Sequence, residues 1–270
     1  MLTYQDLLAL GEDEKARMDF IRQAINEHKS SKAYGMAVDA ELYFKGENPT
    51  INRYEKIIYD MQGRAHRDMY TANHKIASSF FGFDVRQEVS YLLGNGVTFQ
   101  NSATKDKLGK KFDLEIVRAG KYALIAGVAF GFWNLDHVDI FKLREFAPLY
   151  DEENGALMAG IRFWQVSDDK PLRATLYEVD GYTDYIQRSG KDMTVLKDKR
   201  PYILRLRTSQ ADGTEIYDGQ NYPTFPIVPL KNGEDALSEL TGKRNTIDAL
   251  DLCTSNMVNN VDEGNLIYWV

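Results

Sequence analysis

Apolar residues recur from Val85 at Val85, Val89, Leu92 and Leu93. That i, i+4, i+7, i+8 spacing predicts one core-facing stripe of a helix. The helix stops at Gly94-Asn95-Gly96, residues that tolerate the left-handed backbone found at helix ends, and Val97-Thr98-Phe99 reads as an extended exit. If the stripe is core, Asp at Tyr91 or Leu92 unfolds the domain.

The same reading carries along the chain. Residues 3–28 form a helix capped by Thr3 and broken at Gly11, with Leu7, Leu8, Met18, Phe20, Ile21 and Ile25 as its stripe. Lys32–Lys45 is a second helical stretch, closed by Gly46 and Pro49. Arg53–Asp60 is a short extended or helical piece before a turn at Gln62-Gly63. Asn73 caps a helix through Ile76, Phe80 and Phe81, which Gly82 interrupts. Ala103–Ala126 is one long helix, with Leu108, Phe112, Ile116, Ala119, Ala123 and Ala126 repeating at three and four, and Gly127 ends it.

From Val128 the period falls to two. Strand-length runs are separated by Glu153-Asn154-Gly155, Asp168-Asp169-Lys170-Pro171, Asp180-Gly181, Ser189-Gly190-Lys191 and Asp212-Gly213. An antiparallel sheet of hairpins is expected over Val128 to about Tyr217. Pro223, Pro226 and Pro229 stiffen a link, and a last helix runs from about Ala236 to Val261, where Gly264 stops it. Its apolar face is Leu240, Ile247, Leu250, Met257 and Val261. Leu266–Val270 reads as an apolar strand, an aggregation liability unless further chain or a partner covers it. The expectation is that the sequence is cut short there or that a partner covers this segment. The class is α+β: N-terminal helices, a central antiparallel β-sheet of hairpins, and a C-terminal long helix. The expected units are an N-terminal helical arm (1–50), an α+β domain (51–230) and the start of a long helix (231–270).

The 270 residues are 43% hydrophobic and 27% charged, which suits a globular chain with a sizeable core. The net charge of −7 disfavours a surface that grips nucleic acid by its phosphates, though not one past which DNA slides. One cysteine, Cys253, allows no internal disulfide and reads as a buried structural thiol. The N-terminus lacks the pattern of a signal peptide. The longest apolar stretch, Tyr122–Trp133, is too short and glycine-interrupted to cross a membrane.

Candidate chemistry is thin. His28, His66, His74 and His137 have no partners at metal-ligand spacing. Asp136-His137-Val138-Asp139 reads as a solvated strand face. Asp151-Glu152-Glu153-Asn154-Gly155 begins like a calcium loop but lacks the distal bidentate Glu, so it reads as a hairpin turn. Lys105, Lys107, Lys110 and Lys111 form a basic, solvated helix face. Gly94-Asn95-Gly96 lacks the strand-before-helix context of a phosphate loop. No residue is assigned a catalytic, cofactor-binding or metal-binding role, and no cofactor is expected. An enzyme built on Asp136, His137 or Asp151 is the weakest reading, behind an assembly or adaptor protein.

Three segments together resemble the portal proteins of long-tailed bacteriophages, the head-to-tail connectors. The first is Tyr91-Leu92-Leu93-Gly94-Asn95-Gly96-Val97-Thr98-Phe99, after Asn73-His74-Lys75-Ile76. The second is Ala123-Leu124-Ile125-Ala126-Gly127-Val128-Ala129 followed by Phe146-Ala147-Pro148-Leu149-Tyr150-Asp151. The third is Phe225-Pro226-Ile227-Val228-Pro229-Leu230-Lys231-Asn232, then Leu237-Ser238-Glu239-Leu240, Ile247-Asp248-Ala249-Leu250-Asp251 and Ser255-Asn256-Met257-Val258-Asn259-Asn260. The likeness covers roughly residues 50–265. It implies a non-catalytic subunit of a ring, usually twelve-fold, at one capsid vertex of the virion, assembled in the host bacterial cytoplasm. Such rings act in procapsid assembly, DNA packaging, DNA ejection and head–tail joining. The implied partners are the terminase motor, scaffold and major capsid protein, neck or adaptor proteins, and double-stranded DNA in transit, with no membrane. Residues 51–230 would match the family's wing and 231–270 the start of its stem. The chain is shorter than the family's members. The alternative is a different phage assembly or adaptor protein without catalytic activity.

Overall fold

The computed structural model describes residues 2–189, 191–208 and 215–267. Local chemistry starts each N-terminal helix. Thr3 and Asp6 close a reciprocal capping box on α1 (Tyr4–Ala9), Asp13 caps α2 (Glu14–Ser30), and Ser31 caps α3 (Lys32–Lys45). Asn48 caps the short α4 (Pro49–Arg53), which has Pro at its start. A hairpin, β1 (Ile57–Tyr59) with β2 (Ala65–Arg67), follows.

Next comes the first departure from the expected helices. Residues 73–79 are not helical; they run as an irregular strap. The backbone N–H groups of His74, Ile76 and Ser78 are taken by side chains of a distant helix, described below, so the local Asn73 cap signal is overridden by tertiary hydrogen bonds. Helix α5 (Phe80–Leu93) then runs unbroken through Gly82. A Cβ at Gly82 would collide with the Phe44 carbonyl oxygen, so this glycine lets α3 and α5 touch rather than ending a helix.

The stripe on α5 is Phe81, Val85 and Val89, one turn earlier than expected. Tyr91 and Leu92 are 86% and 61% exposed, which contradicts their placement in the core. The neighbouring helix covers only one side of the last turn, where Leu93 rests on Gly120. The expected helix Ala103–Ala126 is two: α6 (Ser102–Lys107) and α7 (Phe112–Ala126). Gly109, at φ +85°, sits between them against the Asp136 carbonyl, a conformation and proximity that favour glycine.

The strands are β3 (Val128–Asn134), β4 (His137–Lys142), β5 (Phe146–Tyr150), β6 (Leu157–Trp164), β7 (Leu172–Glu178), β8 (Gly181–Gln187), β9 (Met193–Arg200), β10 (Ile203–Thr208), β11 (Glu215–Gln220) and β12 (Ile227–Lys231). All described pairings are antiparallel, as expected. They divide, however, into a five-stranded meander β5-β6-β7-β8-β9, a three-stranded sheet β12-β3-β4, and the hairpin β10-β11. A single 3₁₀ turn, Leu143–Glu145, redirects the chain from the small sheet to the large one. The turn read at Asp212-Gly213, and Gly190, lie outside the described residues.

Three cores result. Leu7, Phe20, Ile21 and Ile25 of the N-terminal helices cover Leu149, Ile161 and Leu176 of the meander. An aromatic layer, including Phe130, Phe132, Phe141, Phe146, Tyr177 and Tyr202, joins the two sheets. The third joins α3, α5 and α7 to α8 (Leu240–Ile267) through Tyr43, Phe81, Val85, Leu124, Leu240 and Ile247. Helix α8 begins at Leu240, not Ala236. Ala236 adopts φ +51° and Ser238 hydroxyl donates to the Ile125 carbonyl, so this segment is a turn fastened to the end of α7. The helix continues through Gly264. Leu266 and Ile267 are helical rather than strand, and 268–270 lie outside the described residues.

Candidate interaction surface

Helix α8 has two faces, and the sequence pattern misassigns them. Asp251, Ser255 and Asn259 are buried, although polar. Their spacing of four stacks them on one side of the helix, about 6.0 Å apart along the axis. Asp251 Oδ1 accepts the Ser78 N–H at 3.0 Å, Ser255 Oγ the Ile76 N–H at 3.0 Å, and Asn259 Oδ1 the His74 N–H at 2.6 Å. Alternate N–H groups of an extended chain lie about 6.6 Å apart, close enough to the helical repeat for three rungs to form. The strap residues 74–78 are thus bonded antiparallel along α8 by backbone to side chain.

The same polar face reaches the N-terminal helices. Asn48 Nδ2 donates to Asp248 and Asp251, each at 2.8 Å, and Tyr43 hydroxyl donates to Asp248. Lys243 pairs with Asp84 of α5 at 2.6 Å, and Arg244 with Asp39 of α3 at 2.8 Å. The first half of α8 is therefore locked to α3, α4 and α5.

The opposite face is apolar and bare. Met257 and Val261 are 68% and 58% exposed, and Leu250 is also uncovered. Cys253 is exposed among them, not buried as expected. A shallow open groove along this side is lined by Ala249, Leu252, Cys253, Met257 and Val261, with Asn256 and Asn260 among them. Of the predicted apolar face, only Leu240 and Ile247 are buried. Sequence reasoning missed the polar seam because it sought apolar periodicity; Asp251, Ser255 and Asn259 repeat at helical spacing just as clearly. A second bare apolar surface lies on the β1–β2 hairpin, where Ile57, Tyr59 and Met61 are exposed, and Tyr70 just after it is exposed too.

The candidate chemical groups do not assemble. His28 is buried with Nε2 2.7 Å from the Leu143 carbonyl, His66 meets Asp60, His74 meets Asp262, and His137 meets Asp136 at 2.8 Å. Asp136 holds the exposed His137 imidazole above its ordinary pKa, and the same bond holds the Asp136 carboxyl below its own. This pair sits on the tip between β3 and β4, open to solvent. Asp151 accepts from Gln5 and from the Glu153 N–H, an N-terminal helix anchor within a hairpin turn rather than a calcium loop. Lys105 pairs with Asp113 at 2.7 Å, while Lys107, Lys110 and Lys111 are exposed and the bend at Gly109 divides the basic face. Among the described residues no group of three or more His, Cys, Asp or Glu side chains could hold a metal ion, and no helix is long and apolar enough to cross a membrane.

The family of the chain is shown by its sequence. Residues 23–270 match the family described as phage portal protein, SPP1 Gp6-like. The chain belongs to this phage portal family. The match begins within α2, well before the point near residue 50 where the likeness of the three segments starts. No curated protein matches the chain. Portal proteins are structural components of bacteriophages. In this portal chain the three signature segments fall on the end of α5 and its exit, on the α7–β3 junction with β5, and on β12 with α8.

Proposed function

We propose that the chain is a subunit of an oligomeric portal ring at the capsid vertex of a phage virion, without catalytic activity. It takes part in procapsid assembly, DNA packaging, DNA ejection and head–tail joining. Its partners on this reading are the terminase motor, scaffold and major capsid protein, neck proteins, and double-stranded DNA in transit. Residues 1–50 act as a helical arm, 51–230 as the wing, and 231–270 as the start of the stem.

The observation that supports this best is the inverted helix α8. Its polar face is consumed inside the subunit, and its apolar face, with Leu250, Met257 and Val261, is left for another surface. Exposing these apolar side chains to water is unfavourable at about 25 cal/mol per Å², and ring closure through a head-to-tail contact covers them on every subunit. The net charge of −7 suits a passage that DNA traverses without being held by released counterions.

The test is the mass in solution by light scattering, with negative-stain imaging. Rings of about a dozen subunits, the number the family resemblance implies, are expected for the chain as it stands. Met257→Asp with Val261→Asp is expected to leave a folded monomer. Cys253, on the same face, is expected to react with a thiol reagent in that monomer and to be protected in the ring. A wild-type chain that stays monomeric at all concentrations, with Cys253 fully reactive, overturns the reading that this chain by itself closes a ring, and leaves a truncated wing domain or an adaptor protein.

A further inference from the structure

Between α3, α7 and β4 lies a cavity of about 200 Å³. Its floor is apolar, built by Ile125, Ala126 and Leu143. Its rim is cationic, with Lys45, Lys121, Lys142 and Arg144 against the single carboxylate of Glu41. Arg144 is neutralised by Glu41, and Lys142 reaches Glu145 only at 4.0 Å. Lys45, Lys121 and nearby Arg86 have no carboxylate partner among the described residues. In a chain of net charge −7 this is a conspicuous excess of unpaired positive charge.

Two rings hold these cations in place. The Phe44 ring has the Arg86 guanidinium 5.0 Å from its centroid and the Lys121 ammonium at 5.8 Å. The Tyr122 ring has Lys121 at 5.1 Å and Lys142 at 5.0 Å. Cation–π contacts of this kind are worth about 0.5–1 kcal/mol at exposed sites, enough to position the side chains but not to replace a counter-ion. Burial pushes the Lys121 ammonium below its ordinary pKa, and Lys142, Arg118 and Arg86 push it the same way. An arriving anion relieves that strain.

We propose that this groove binds an acidic peptide segment of a partner protein, with one apolar side chain seated on the floor and flanking carboxylates on Lys121, Lys142 and Arg86. The apolar floor argues against duplex DNA, whose phosphate backbone has nothing to fill it. A small anion seated deep is disfavoured as well, because α3 and α7 both end at this cavity and turn the negative ends of their dipoles toward it. Carboxylates at the rim, outside an apolar anchor, satisfy both constraints. The helix ends account for Lys45 in the last turn of α3 but not for Lys142 on a strand or Arg86 within α5. All of these side chains belong to one subunit, so the groove is complete whether or not the chain forms rings.

The experiment is fluorescence anisotropy with a labelled short peptide of Asp and Glu carrying one central Phe, titrated with the full chain at low salt. Saturable binding is expected, weakened about tenfold or more by Lys121→Glu with Lys142→Glu and by replacing the peptide's Phe with Ala. Arg86→Glu, at an exposed helix position, is the second variant should the first fail to fold, and it is expected to weaken binding in the same direction. No saturable binding, or equal binding by folded variants, overturns the proposal. So does displacement of the peptide by inorganic phosphate, which would make the site one for small anions. Tighter binding of a duplex oligonucleotide, lost in the same variants, would make it a nucleic-acid contact.

Discussion

Asn48 and Asp251 are both buried, and the Asn48 amide donates to the Asp251 carboxylate at 2.8 Å while its carbonyl oxygen caps α4 at Thr50 and Ile51. One side chain thus starts a short helix and fastens it to α8, 203 residues further along the chain. Asn48→Ala removes a cap, worth about 1 kcal/mol, and strands buried acceptors at about 1–3 kcal/mol. A loss of roughly 2–4 kcal/mol is expected from the urea midpoint, at unchanged slope. A loss below about 0.5 kcal/mol would show that the seam between α4 and α8 is solvated.

Gly82 and Gly242 make a matched pair of opposite sign. Both lie in helices, but a Cβ at Gly82 meets the Phe44 backbone, whereas at Gly242 nothing lies within 4 Å. Gly82→Ala is expected to destabilise by about 1–3 kcal/mol, as overpacking does. Gly242→Ala is expected to stabilise by about 0.5–1 kcal/mol through helix propensity alone. Thermal melts of the two variants decide it; a stabilising Gly82→Ala would mean that α3 and α5 do not touch there.

Val85→Asp and Leu92→Asp separate the core stripe from its apparent continuation. Val85 is fully buried, so the charge is expected to abolish folding. Leu92 is exposed, so Leu92→Asp is expected to fold, at a cost of about 0.5 kcal/mol from helix propensity. Soluble yield and near-ultraviolet circular dichroism report the difference.

What was legible in the sequence was local. The cap at Thr3 and the start of a strand at Val128 appear where read, because short-range chemistry sets them, although Val128 to Phe132 are buried in succession rather than alternating, since both faces of β3 are covered. The α+β class and the family likeness follow from the order of such segments. Asn73, Leu92, Cys253 and Met257 were misplaced for a common reason: each depends on which neighbour covers which face. The strap at 73–79 is non-helical because α8 supplies acceptors from far along the chain. The cationic groove was equally hidden, since Phe44, Arg86, Lys121 and Lys142 come from four separate elements.

His28 gives stability a pH dependence of known sign. Burial holds its imidazole below the ordinary 6.5, with Lys29 adding to the effect and the bond to the Leu143 carbonyl opposing it. The folded chain therefore binds this proton less readily than the unfolded chain. The contribution is fully present above 6.5 and is lost as pH falls through 6.5 toward the lower folded value. The exposed His137 shifts the opposite way, but solvent screens its partner. Urea midpoints measured from about pH 7 down to about pH 5 are expected to fall, and to fall less in His28→Gln. Equal slopes would place the titration elsewhere.

The joint between the strap and α8 reads backbone on one side and side chain on the other. The rungs fall on the amides of His74, Ile76 and Ser78 and skip those of Lys75 and Ala77. Those alternate amide protons are a built-in gauge. While α8 is seated, their hydrogen exchange is slow at every second residue. Once the helix lifts, the alternation disappears, whatever the rest of the subunit is doing. A five-residue stretch of spectrum therefore reports the position of a 28-residue helix.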